Sequence, residues 1–141
     1  MSIENTERER RRALVHAHMK AENAHDLDGI MHTFSDGGEM LYNRQSFLGE
    51  GIRQAHAYFG MSAARGAFGG LRVVPDHEHF TADEIVVEGR MCGKHIGEFL
   101  GFAATNRDVE LPYVAFYRFD ADGKLASERV VMNLGPLSSK T

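Results

Sequence analysis

Residues 93–101 read Gly-Lys-His-Ile-Gly-Glu-Phe-Leu-Gly, which sets one imidazole, His95, between glycines at 93, 97 and 101 at the end of an apolar run. Imidazole titrates near neutrality, so a histidine here can give and take protons at physiological pH. The glycines remove side chains, which marks either a bend in the chain or a place where another group comes close. Two readings stand: the ring faces a hollow, or the glycines only turn the chain and His95 bonds locally. Two further groups have metal-ligand character. His77, Glu78 and His79 would put two imidazoles on one strand face, and His18, Glu22 and His25 share one face of a helix. Neither set shows a third or fourth ligand with matched geometry, so no metal is expected and solvated polar faces are the default. The single cysteine, Cys92, excludes an internal disulfide and a multi-cysteine zinc site, and fits a reducing compartment.

These groups need elements to hold them. The 141 residues are 43% hydrophobic and 26% charged, which suits one domain spanning 1–141 with a single core and ordered structure over about 6–136. Net charge is -4, and the one basic run, Arg8 to Arg12, is interleaved with Glu4, Glu7 and Glu9, so a nucleic-acid partner is not expected. There is no secretory-signal pattern, and no stretch approaches the roughly 18 apolar residues of a membrane span. A soluble, cytoplasmic chain with no membrane partner is the expectation.

Between Thr6 and Ala24 there is neither proline nor glycine, and Leu14, Ala17, Ala21 and Ala24 recur at helical spacing beside Val15 and Met19. Asp26 can cap a short second helix with an apolar face of Leu27, Ile30, Met31 and Phe34, after which Asp36-Gly37-Gly38 turns the chain. Glu39 to Tyr42 reads as a short strand. After Gly49, the residues Ile52, Ala55, Phe59 and Ala63 predict a third helix ending before Gly66. Long strands follow over 71–80, 85–95, 109–119 and 125–134, the last two joined by an Asp120-Ala121-Asp122-Gly123 hairpin turn. Helices followed by sequential strands imply an α+β domain in which a curved antiparallel sheet wraps over helices and tends to enclose a pocket.

That order, with Gly-Lys-His-Ile-Gly-Glu-Phe-Leu-Gly and the more generic Asp122-Gly123-Lys124, resembles the SnoaL-like polyketide cyclases of the nuclear transport factor two-like superfamily over roughly residues 8–134. The resemblance implies a cone-shaped α+β barrel around an apolar cavity, commonly dimeric, whose enzymes use cavity side chains for acid-base chemistry without metal or organic cofactor. In the aldol-type cyclases of that group a histidine on the penultimate strand and an aspartate on the last transfer the protons. The matching positions here are Ala115 and Val130, and neither can move a proton.

If those positions face the cavity, strand alternation brings Leu111, Tyr113, Tyr117, Glu128 and Met132 to the same face. Glu128 is the only acid in that set, and apolar surroundings favour a raised carboxyl pKa suited to acid-base work. Tyr42 lies where the fold commonly meets its cavity and offers a phenol to a substrate oxygen. Tyr42, His95 and Glu128 are therefore the candidate catalytic constellation, with Leu111, Tyr113, Ala115, Tyr117, Val130 and Met132 as substrate-binding residues. The set is similar to that of SnoaL-like cyclases that open an epoxide with an internal hydroxyl. On the other reading, Glu128 pairs with a cation on a solvated edge and His95 and Tyr42 satisfy one another in the core. Glu110 sits one residue off the cavity register and suits a surface ion pair. Arg129, on the face opposite Glu128, suits a dimer contact or a surface ion pair. The expected partners are an apolar oxygenated small molecule and a second copy of the chain. Two functions stay open: a cofactor-independent cyclase, isomerase or hydrolase, or a non-catalytic ligand-holding or dimerising module.

Overall fold

A computed structural model describes residues 3–138. Helices α1 (Ile3–Asn23) and α2 (Leu27–His32) precede strands β1 (Phe34–Tyr42) and β2 (Gln45–Leu48). Helix α3 (Glu50–Phe59), strands β3 (Phe68–Phe80), β4 (Glu84–His95), β5 (Asp108–Phe119) and β6 (Leu125–Met132), and the short α4 (Gly135–Ser138) complete the order. The six strands form one curved, unclosed sheet in the order β2-β1-β6-β5-β4-β3. All neighbours are antiparallel except β1 and β6, which run parallel, a pairing the meander-like sequence pattern did not predict.

The first helix starts earlier than expected, at Ile3, and residues 135–138 are helical; the expected loose ends at 1–2 and 139–141 lie outside the described residues. The helix also turns a different face inward. Its buried stripe is Val15, His18, Met19 and Glu22, whereas Ala17 and Ala24 are exposed. The alanine stripe looks more apolar on paper, but packing follows the larger Val15 and Met19 and takes two ionisable groups into the core with them. Asp26 caps α2 as predicted, its carboxylate accepting from the Gly29 N–H at 3.0 Å.

Phe34 begins β1 instead of ending α2, and Asp36-Gly37-Gly38 lies within that strand as an irregularity between Phe34 and Glu39. The two-residue turn Asn43-Arg44, with φ of 46° and 76°, pairs Tyr42 with Gln45 and creates the unpredicted β2. Asn43 also reaches across the sheet: its amide donates to the Met132 carbonyl and its side-chain oxygen accepts from the Met132 N–H. Helix α3 stops at Gly60, where φ is 125° and an added Cβ would stand 2.3 Å from the Phe68 carbonyl oxygen.

Strands β4, β5 and β6 alternate as read. Leu111, Tyr113, Ala115 and Tyr117 of β5 and Glu128, Val130 and Met132 of β6 are all buried. In register, Tyr117 faces Glu128, Ala115 faces Val130 and Tyr113 faces Met132. On the outer surface Arg129 stacks over the Phe116 ring at 4.0 Å, Val131 is exposed, and Glu110 pairs with Arg90 at 3.1 Å. Among the described residues no helix is long and apolar enough to cross a membrane.

Candidate active site

The sheet's inner face and helices α1 and α3 enclose a cavity of about 30 Å³, room for one or two water molecules. Its apolar wall is rich in methionine, with Met40, Met61, Met91 and Met132 beside Phe59, Val73 and Val130. Its polar wall is Tyr42, Tyr113 and Tyr117 together with Glu22, His56 and Glu128. Five residues expected at a cavity from the strand alternation, Tyr113, Tyr117, Glu128, Val130 and Met132, line it, as does Tyr42. Leu111 and Ala115 are fully buried on the same face but do not reach the cavity surface.

His95 stands apart. It is fully buried, yet its ring stacks on Phe68 with centroids 5.3 Å apart, and Phe68 is its cross-strand partner. The Thr105 N–H donates to His95 Nδ1 at 3.3 Å, which places the ring proton on Nε2, a buried atom with no hydrogen-bond partner. Burial, with help from the nearby Arg107 charge, lowers its pKa below the usual 6.5. The local reading of the glycine segment is the one the structure supports: a Cβ on Gly93 would sit 3.1 Å from the Gly69 carbonyl oxygen and 3.2 Å from Phe68 Cβ. The space left by glycine is filled by β3. Tyr42 and Glu128 thus come together on one cavity, and His95 does not join them.

Two other histidines take that place. His18 and Glu22, one turn apart on α1, meet His56 of α3 and Glu128 of β6, with ligand atoms all within 4.8 Å of one another. His18 Nε2 lies 3.2 Å from both Glu22 Oε2 and Glu128 Oε2; His56 Nε2 lies 3.4 Å from Glu22 Oε2 and 3.8 Å from Glu128 Oε1. Glu128 is therefore not on a solvated edge. The helical pair His18 and Glu22 gains its third and fourth members from α3 and β6, a correction to the sequence expectation, while His25 turns away to bond the Leu71 carbonyl at 2.7 Å. The His77–Glu78–His79 set is a polar surface as expected: Glu78 takes Arg12 and His16, and His79 pairs with Glu88.

The far sides of both imidazoles are fixed. His56 Nδ1–H donates to the Ile52 carbonyl at 2.8 Å. His18 Nδ1–H donates to Thr33 Oγ1 at 2.9 Å, because the Thr33 hydroxyl spends its own proton on the Ile30 carbonyl at 2.6 Å. Both Nε2 atoms therefore face carboxylates. Burial by itself would lower the His18 pKa, but Glu128 and then Glu22 overcome it and raise it to about 10. For Glu22, burial is likewise overcome, by His18 first and then His56, and its pKa falls to about 2. In the metal-free chain His18 is an imidazolium. Burial, reinforced by the carboxylates of Glu128 and Glu22, pushes the Tyr42, Tyr113 and Tyr117 phenols upward, so each remains a proton donor. The Tyr42 hydroxyl donates to the Met132 sulfur, a weak acceptor.

Sequence reasoning missed His18, Glu22 and His56 as members of one site. The available signal was His56 itself, four residues after Ile52 and three before Phe59 on the apolar face of α3.

No curated protein matches the sequence. Solved structures do. A protein from Jannaschia sp. CCS1 assigned to the SnoaL-like polyketide cyclases is 24% identical, with a TM-score of 0.75 over 100% of this chain and 97% of that one. TsrD from Streptomyces laurentii is 21% identical, with a TM-score of 0.77 over 92% of both chains. SalBIII, described as an epoxide hydrolase/cyclase-like enzyme in pyran ring formation in the polyether salinomycin, is 16% identical, with a TM-score of 0.72 over 92% of this chain and 95% of that one. At these identities the likeness concerns the fold. A SnoaL-like domain is matched over residues 15–128, and the chain belongs to that family.

Proposed function

We propose that the protein is an acid-base enzyme of cyclase type, closing a ring on an apolar, oxygenated small molecule, with Glu128 as base and Tyr42 as hydrogen-bond donor. One observation carries the reading: Glu128 Oε1 is a buried carboxylate oxygen without a hydrogen-bond partner, on the wall of a cavity that also holds a weakly engaged phenol. An unpaired buried acceptor costs about 1–3 kcal/mol, and a substrate hydroxyl would relieve it. In the ring closure, that hydroxyl gives its proton to Glu128 while its oxygen bonds to an epoxide carbon. The epoxide C–O bond breaks as its oxygen takes the proton of the Tyr42 hydroxyl, and the proton held by Glu128 then returns to the Tyr42 oxygen, which restores both groups. The description of SalBIII as epoxide hydrolase/cyclase-like supports this choice of reaction.

Tyr113, Tyr117, Val130 and Met132 would contact substrate, with Leu111 and Ala115 packed behind them. His95 is assigned a supporting role, anchoring the segment from Thr105 to Arg107 against Phe68. The four methionines are flexible enough to open the small cavity as substrate enters. The whole chain is taken to act as one domain, in the cytoplasm, and as a homodimer through the outer sheet face that carries Val131. A 15.7 kDa species alone at high concentration in sedimentation would exclude the dimer.

The test is conversion of a hydroxy-epoxide panel, followed by mass spectrometry and NMR. Glu128→Gln should lower turnover by ~100-fold or more, and Tyr42→Phe by less. Unchanged turnover in Glu128→Gln would remove Glu128 as base. A second reading, a ligand-holding module without chemistry, is favoured by the apolar Ala115 and Val130; it predicts saturable binding of apolar ligands with no product from any of them.

A further inference from the structure

Proton transfer by one carboxylate does not require two imidazoles and a second carboxylate packed against it. His18, Glu22, His56 and Glu128 are each at least 95% buried, at 0%, 5%, 1% and 3% relative exposure. Their four nitrogen-to-oxygen separations are 3.2, 3.2, 3.4 and 3.8 Å. Ligands of a tetrahedral ion bound at about 2.1 Å stand about 3.4 Å from one another, so these edges need little change to close on a metal.

The hydrogen bonds behind the cluster are those a metal site requires. Both Nδ1 atoms are committed as donors, to the Thr33 hydroxyl and the Ile52 carbonyl, which leaves both Nε2 atoms aimed inward. An ion entering the cluster would displace the Nε2 proton of His18, and imidazoles so held would then present their Nε2 lone pairs to it beside the carboxylate oxygens. Glu128 Oε1, buried and without a hydrogen-bond partner, is an independent sign of a missing ligand. Two carboxylates supply charge -2, and a divalent ion that displaces the His18 proton would neutralise it.

We propose that His18, Glu22, His56 and Glu128 bind one divalent transition-metal ion of the zinc class. Two imidazoles and two carboxylates without a thiolate suit Zn²⁺, and also Co²⁺, Fe²⁺ or Mn²⁺. Glu22, His56 and Glu128 line the cavity while His18 lies behind them, so a water or substrate oxygen could reach the ion only from the cavity side, as a fifth ligand. This site goes beyond the acid-base reading and does not depend on it: with the ion bound Glu128 is a ligand, and the free base of that reading belongs to the metal-free chain.

The experiment uses the full chain, stripped with chelator and titrated with Co²⁺, then with Zn²⁺ in competition, followed by visible absorption and calorimetry. One equivalent of Co²⁺ should bind with intense visible bands, and Zn²⁺ should displace it. His56→Ala and Glu22→Gln should each weaken binding by ~100-fold or more, and Thr33→Val, which keeps all four ligands, by ~10-fold. His25→Ala and His79→Ala should leave it unchanged. If the ligand variants fail to fold by circular dichroism, Thr33→Val carries the test. Absence of stoichiometric Co²⁺ binding by the folded wild-type chain overturns the site, as does undiminished binding in folded ligand variants. Binding is read without substrate, so failure of the cyclase reading leaves it standing. Turnover by a chain that binds no metal would refute the metal site alone.

Discussion

The chain buries imidazoles in two settings with opposite electrostatic outcomes. His18 and His95 are both 0% exposed, yet the His18 pKa rises to about 10 while that of His95 falls below its usual value. His18 faces two carboxylates; His95 faces a phenylalanine ring, a threonine and, through space, an arginine. Burial alone disfavours the charged form in each, and only the neighbours decide which form prevails. The unpartnered atoms differ in the same way: a carboxylate oxygen on a cavity wall at Glu128, and a ring nitrogen at His95 away from that wall.

Removing one member of each setting is the strongest way to break that comparison. His18→Leu leaves two carboxylates buried without their imidazolium and should cost about 3–5 kcal/mol in urea denaturation. His95→Phe keeps the stacking surface and removes an unsatisfied nitrogen, so its cost should stay below about 1.5 kcal/mol with turnover retained. Similar costs for the two would end the distinction.

Acid and base sharpen it next. In the metal-free chain Glu22, His18, His56, Glu128 and Tyr117 face one another, and the shifts on Glu22 and His18 set the window. The Glu22 contribution is complete above its ordinary 4.5 and is lost as pH falls toward about 2. The His18 contribution is complete below its ordinary 6.5 and is lost as pH rises through about 10. The melting temperature should therefore plateau between these ordinary values and drop by several degrees on either side, and both shoulders should shrink in His18→Leu. A profile identical in the wild type and the variant would contradict the ion-paired cluster.

Smaller effects separate the supporting threonines. Thr33→Val and Thr105→Val each remove one hydroxyl partner of a buried histidine, and each should cost about 1 kcal/mol. Only Thr33→Val should also lower turnover, since only His18 adjoins Glu128. The smallest effect lies outside both settings: Arg129→Ala removes the contact over Phe116 and should cost about 0.5–1 kcal/mol with turnover unchanged.

Much of the frame was legible because local rules agreed with tertiary packing. Period-two alternation brought Tyr113, Tyr117, Glu128, Val130 and Met132 to one face, and Asp26 announced a helix start. The site was legible on the strands and not on the helices. Glu128 and His18 are 110 positions apart, and no spacing rule links them. On α1, the alanines offered an apolar stripe that competed with the true one. The Asn43-Arg44 turn went unread because it takes positive φ without glycine, and Asp36-Gly37-Gly38 looked like a turn because a bulge uses the same residues. Glycines around His95 marked close approach correctly; what approaches is β3.

The open sheet leaves two edge strands, and they guard against templated growth by different means. β2 has only 4 residues, too short to seed a foreign strand. β3 has 13, but Pro75 supplies no amide proton, the pairing slips between Pro75 and His77, and Asp76, His77, Glu78 and His79 crowd the same stretch with polar groups. Asn23 and His25 also occupy backbone groups of Val73 and Leu71, and replacing Pro75 and Asp76 with valines would add one amide donor and remove a charge from the stretch those side chains leave uncovered. Such a chain should form fibrillar aggregates at concentrations where the parent protein remains dispersed, although neither residue lines the cavity.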